Sequence, residues 1–151
     1  MVEEEQEERK RSDVAREYSD GRITVRWSPQ YCIHVANCLV MQPAVFDAMR
    51  RPWIELDDGV ADDIAEAVMT CPTGALTFER NDGGAQEPEP DDVTVLPRPN
   101  GPLFMRGKIR MVDATGNVIR EGTRIALCRC GQSANKPFCD AAHRRIGFRA
   151  P

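Results

Sequence analysis

Cys128-Arg-Cys130-Gly-Gln-Ser-Ala-Asn-Lys-Pro137-Phe-Cys139-Asp140-Ala-Ala-His143 sets three thiols and one imidazole within sixteen residues. Thiolates and imidazole are the donors that soft and borderline metals select. Cys128 and Cys130, one residue apart, can bind one metal from a single extended turn. Cys139 and His143 stand four apart, which predicts a shared face on one helical turn. Asp140 is then the expected N-cap of a short helix carrying His143. Such a helix would aim free backbone N–H groups at an anionic centre. Arg129 and Lys136 add positive charge around it. Spacing alone leaves two readings open, a Cys₃His zinc ribbon and an iron–sulfur cluster.

The rest of the chain repeats the pattern. It has six cysteines and two histidines, and all eight fall in two groups: Cys32, His34, Cys38 and Cys71, then Cys128, Cys130, Cys139 and His143. Cysteines that travel with histidines argue for metal rather than disulfides. The opening residues, Met-Val-Glu-Glu-Glu-Gln-Glu-Glu, lack the apolar stretch of a signal peptide and are too acidic for a transit peptide. No apolar run reaches membrane-spanning length. The expectation is a soluble protein of a reducing cytoplasm, with no membrane partner.

Charge divides the chain unevenly. Residues 1–98 hold ten Lys/Arg against twenty-one Asp/Glu, a net −11, while residues 99–151 hold ten against three, a net +7. Two modules of opposite field are expected. The split suits electrostatic docking, and equally suits solubility plus basic groups that offset an anionic cluster. Nucleic acid is not an expected partner, because the basic half lacks interleaved exposed aromatics.

Periodicity gives the elements. Residues 1–20 are charged and read as a disordered or frayed helical tail. Ile23–Trp27 alternates and predicts a strand. Gln42–Arg50 reads as a short helix with Pro43 in its first turn, and Trp53–Leu56 as a short strand. Asp57–Gly59 turns. Val60–Thr70 predicts a helix, with Val60, Ile64 and Val68 recurring every four residues and Asp62 and Asp63 at its positive end. Residues 75–80 alternate and could pair with 23–27. Gly and Pro punctuate an acidic linker over 81–98, with one possible strand at Val93–Leu96. Strands then follow at 107–112, 117–119 and 123–127. The organisation expected is a tail (1–20), a first domain (21–80), the linker (81–98) and a second domain (99–151). Modules of roughly 55–60 residues bury little core and commonly need a staple such as a metal.

From Ala126 to His143 the pattern C-x-C, then Ser133 and Pro137-x-Cys139-Asp140-x-x-His143, resembles the CDGSH iron–sulfur domain of mitoNEET-type proteins, over about residues 99–151. The resemblance implies a 2Fe–2S cluster, with Cys128 and Cys130 on one iron and Cys139 and His143 on the other. It also implies a homodimer. Ala141-Ala142 replaces the Gly-Ser of the namesake motif, which removes a hydroxyl from the cluster edge; hydrogen bonds near the sulfurs tune potential. Ser133 and Pro137 are expected to shape the loop.

Upstream, Cys32-Ile-His34-Val35-Ala-Asn-Cys38 and Cys71-Pro72 fill the first, third and last positions of a bacterial ferredoxin loop, with Val35 at the middle position. With Phe46-Asp47, Arg51-Pro52-Trp53-Ile54 and Cys71-Pro72-Thr-Gly-Ala-Leu76, the segment resembles the divergent single-cluster ferredoxin domain. That implies a 3Fe–4S or 4Fe–4S cluster on Cys32, Cys38 and Cys71. His34 either tunes it by hydrogen bonding or ligates a fourth iron.

The fold class expected is α+β: a small ferredoxin-like module, then a mostly-β CDGSH-type module with one short helix. No nucleotide loop, flavin fingerprint or nucleophile–base pair is visible, so an electron carrier is expected rather than an enzyme. Its partners would be redox proteins. The alternatives are a cluster donor to apo iron–sulfur acceptors, a redox or pH sensor, and a zinc-stapled interaction module.

Overall fold

A computed structural model of the chain describes residues 14–151, so most of the expected tail lies outside the described residues. The fold class is the α+β one expected, with two three-stranded antiparallel sheets and few, short helices. Contacts divide the chain into two compact units; the first runs to Glu87 and the second takes Pro88–Pro151 together with Pro72–Gly74. Among the described residues no helix is long and apolar enough to cross a membrane.

The first unit is built on β1 (Arg16–Ser19), β2 (Ile23–Trp27) and β3 (Leu76–Arg80), with β2 central. The expected pairing of 23–27 with 75–80 is present, Val25 opposite Phe78 and Trp27 opposite Leu76. The tail assignment fails at its end, where Arg16–Ser19 forms an edge strand. That strand is mostly exposed and sends only Tyr18 toward the core, so alternation could not reveal it. The helix expected at 42–50 is absent. Helix α1 instead occupies Asn37–Met41. The following segment turns so that Phe46 bridges Ile54 and both are buried, and the expected strand at 53–56 reduces to this single bridge. Arg50 holds the turn through the carbonyls of Ala44 and Val45.

Helix α2 spans Ala61–Met69 and presents Ile64, Ala67 and Val68, all fully buried, to a core shared with Ile23, Val25, Val45 and Phe46. Val60, counted in the apolar repeat, stands outside the helix and exposed. Ile64→Ala should cost about 2–5 kcal/mol, the range for truncating a buried aliphatic side chain, read by chemical denaturation of the first unit.

Arg80 ends β3. Its guanidinium meets Asp82 (2.9 and 2.8 Å) and Asp62 (2.5 Å). Beyond it the Gln86 side chain accepts from Arg80 N (2.9 Å) and donates to Arg80 O (2.8 Å), standing in for a neighbouring strand. Hydrogen bonds from Arg80, then from Gly84 N, hold the Asp82 carboxyl down at about 2. The sign follows: folding favours the ionised form, so this contribution is present above the unfolded value of ~3.9 and is lost as pH falls toward about 2. In Arg80→Met, the Asp82 titration followed by NMR should rise toward ~3.9.

The second unit is a meander of β4 (Thr94–Pro97), β5 (Leu103–Val112) and β6 (Val118–Leu127). The two strands expected at 117–119 and 123–127 are one, running through Gly122. Its register with β5 shifts between Arg106 and Ile109. Gly107 sits there at φ +131°, where a Cβ would meet Asp92 O at 2.7 Å. Gly107→Ala should destabilise this unit by more than about 1 kcal/mol, since both the conformation and the space exclude a side chain. The core of this unit is small, centred on Ile109, Ile125, Ala126 and Phe138. Helix α3 is one turn, Ala142–Arg145.

Candidate metal centres

In the second unit β6 delivers the chain to Cys128, and Phe138 bridges back to Leu127. Cys128 N donates to Pro137 O and Cys139 N to Ala126 O, both at 2.9 Å, so the thiols are carried on paired backbone. Ser133 shapes the loop as expected: its hydroxyl donates to Phe138 O (2.6 Å) and accepts from Asn135 N (3.0 Å).

Cys128 Sγ lies 3.9 Å from Cys130 Sγ, and Cys139 Sγ lies 3.5 Å from His143 Nδ1. Two thiolates on one tetrahedral metal at ~2.3 Å would be about 3.8 Å apart, and a thiolate with an imidazole about 3.5 Å. Each pair therefore has the bite of one tetrahedral metal. Among the described residues no three His, Cys, Asp or Glu side chains close on a single point. The pairs nonetheless lie near one another: burial raises the Cys139 thiol most, and Cys128 and Cys130 both add to the rise electrostatically.

Cys139 and His143 come together, but not on one helix face. Cys139 precedes α3, and the N-cap is Ala141 at φ 68°, not Asp140. Asp140 sits one residue earlier and still accepts from Ala142 N (3.0 Å) and from Ala134 N (2.8 Å). An αL residue was needed to turn the chain between Cys139 and the helix, and that displaced the cap. Backbone N–H groups do reach sulfur, Ala141 N to Cys139 (3.4 Å) and Gln132 N to Cys130 (3.5 Å). Burial raises the Cys128 thiol, but N–H groups of Ser133 and Gly131, the Cys130 thiol and the Lys136 charge outweigh it, so the net shift is downward. Burial, then Arg144, lower His143 against the opposing Asp140, which favours the neutral imidazole with its lone pair. Arg129 has a different place from the one expected. It donates to Gly101 O (2.9 Å), Arg98 O (2.7 Å) and the Pro151 oxygen (2.9 Å), and lies over Phe148.

In the first unit Cys32 follows a single 3₁₀ turn (Pro29–Tyr31), Cys38 lies in α1 and Cys71 follows α2. Asn37 Nδ2 donates to Thr70 O (3.3 Å), which holds α1 beside the residue before Cys71. Burial drives the Cys38 thiol up to about 11, with Cys71 and Cys32 adding to the rise. Cys32 is raised by burial and then by Cys71. The three sulfurs thus lie within one another's field. His34, at φ 55°, brings Nδ1 to 3.7 Å from Cys32 Sγ.

Trp27, which the sequence marks only as a strand residue, borders this site, and Trp53 packs behind it. Trp27 and Trp53 meet edge to face at 4.9 Å. Both indole nitrogens are buried without a hydrogen-bond partner. The Trp27 N–H is near enough to Cys32 to favour its thiolate, though it makes no ordinary hydrogen bond. An orphaned buried donor facing a thiol fits an anionic sulfur-rich group. The signal was Trp27, placed five residues before Cys32 at the end of a strand.

Two small units, each bringing one thiol to an imidazole with further thiols nearby, have the donor chemistry of an iron–sulfur protein. Residues 18–81 match the family described as a divergent 4Fe-4S mono-cluster, and residues 100–144 match the iron-binding zinc finger of CDGSH type. The chain is similar to the uncharacterized protein YjdI of Escherichia coli (strain K12), 32% identical over 61 residues that make up 40% of this chain and 80% of the relative. The same figures hold for YjdI of Escherichia coli O157:H7. The chain belongs to the divergent 4Fe–4S mono-cluster family and carries a CDGSH-type iron-binding domain behind it.

Proposed function

We propose that the chain is a one-electron carrier with two iron–sulfur clusters, working between redox partner proteins in the cytoplasm. Cys128 and Cys130 would hold one iron of a 2Fe–2S cluster, and Cys139 and His143 the other. Cys32, Cys38 and Cys71 would hold a 3Fe–4S or 4Fe–4S cluster, with His34 as a tuning group or a ligand to a fourth iron. When bound, such clusters take up and release single electrons. The observation that carries the reading is the pairing of donors, Cys128 with Cys130 at 3.9 Å and Cys139 with His143 at 3.5 Å, each pair with the bite of one metal of a two-iron cluster. The chain's own part is to orient the sulfurs, aim N–H groups at them and keep His143 neutral.

A second reading, cluster donation to an apo acceptor or sensing of redox state or pH, is favoured by the lone imidazole at the second site. A homodimer is proposed by likeness to mitoNEET-type proteins. Anaerobic purification with iron and sulfide counting and EPR tests the assignment. Two distinct signals reducible by a general reductase would support electron carriage. Transfer of the 2Fe–2S unit to an acceptor, lost in His143→Cys, would favour donation. A colourless zinc protein would leave only a stapled interaction module.

A further inference from the structure

A cleft of 340 Å³ opens beside His143 in the second unit, with Arg98, Arg144 and Arg149 among its lining residues. Its size lies at the lower end of the range that admits small molecules, roughly 300–1,000 Å³. No aspartate or glutamate lines it. Among the described residues, none of the three guanidinium groups makes an ion pair or a side-chain hydrogen bond. Isolated surface arginines are ordinarily just solvated. Here three unpaired ones share a single concavity, Arg144 and Arg149 within the segment of net +7 and Arg98 at its edge.

The walls are fixed before any ligand arrives. Asn100, at φ 57°, donates its N–H to Ala150 O (2.8 Å) and accepts from Ala150 N through Oδ1 (3.0 Å). Arg129 ties the same two strands of chain together through Arg98 O, Gly101 O and the Pro151 oxygen. One arginine thus builds the cleft and leaves the other three free to use it. Such preorganisation lowers the cost of binding.

We infer that this cleft binds a small phosphate-bearing anion of the diphosphate class, held by Arg98, Arg144 and Arg149. Three guanidinium groups present more donors than one carboxylate can accept, whereas a diphosphate offers oxygens to all three; arginine's planar fork suits phosphate oxygens in pairs. Arg98 and Arg149 fall outside residues 100–144, so the family match does not account for the site. The inference goes beyond electron carriage and stands or falls separately from it.

The test is calorimetric titration of the full chain, purified with its clusters, with inorganic pyrophosphate. One site per chain is expected. Arg98→Gln and Arg149→Gln should each weaken it at least about tenfold, the equivalent of one lost charge-assisted contact. Arg144→Gln should do the same, read only where the visible spectrum is retained, because it adjoins His143. Arg110→Gln removes the same charge from an exposed pair with Glu121 and should change affinity less than about twofold. No binding, or equal weakening by Arg110→Gln, would overturn the site. Citrate binding as tightly as pyrophosphate would overturn the phosphate assignment.

Discussion

His143→Cys is expected to make the second cluster survive to lower pH and to lower its reduction potential. Of the four proposed ligands imidazole alone would bind without a formal negative charge, so its bond to ferric iron would be the weakest. A proton competes for the lone pair it uses. Burial and Arg144 hold His143 below its ordinary range, so the window of acid loss lies below ~6.5. As pH falls through that window the freed imidazole is trapped as the cation and the cluster is lost. A fourth thiolate removes this exit, and half-loss of the visible band should move down by about one unit or more. Histidine ligation raises iron–sulfur potentials, so the variant should fall by roughly 100 mV or more. Equal acid lability in the two proteins would remove His143 from the ligand set.

Cys38→Ala is expected to abolish the first cluster while leaving the second. Iron and sulfide should drop to the content of one cluster, and the EPR signal that remains should be that of the 2Fe–2S site. Without metal the Cys38 thiol is pushed to about 11, so at neutral pH it must shed its proton to bind iron. Binding therefore releases protons and weakens as pH falls. Helix α1 has no side-chain cap and follows Ala36 in the αL conformation, so beyond Ile33, Leu39 and the Asn37–Thr70 bond the segment from Cys32 to Met41 has few ties of its own. Loss of the first cluster should lower the first thermal transition and expose residues 32–41 to proteolysis. A variant that keeps its full iron content would overturn the assignment of Cys38.

The candidate donors could be picked out because thiols and imidazoles are rare and clustered in this chain. The sheets were legible where one face is buried: Ile23–Trp27 and Leu76–Arg80 alternate, and they pair. Legibility failed where tertiary structure overrode local pattern. Phe46 seeks Ile54 rather than a helix, and α1 forms without an apolar repeat. Arg16–Ser19 is an edge strand whose one inward residue, Tyr18, is too little for an alternation to show. Arg129 looked like charge for a cluster and is instead bonded to carbonyl groups. Which arginines remain unpaired is a property of the folded chain alone.

The Gln86 side chain, bonded to both backbone groups of Arg80, decides where the two halves can be separated at the bench. A cut at the end of β3 looks natural from the strand pattern, yet it would strip Arg80 of two partners and remove Asp82 from the same arginine. A fragment carried through Glu87 keeps all three intact. Spectroscopy on the first cluster alone should start from that longer piece.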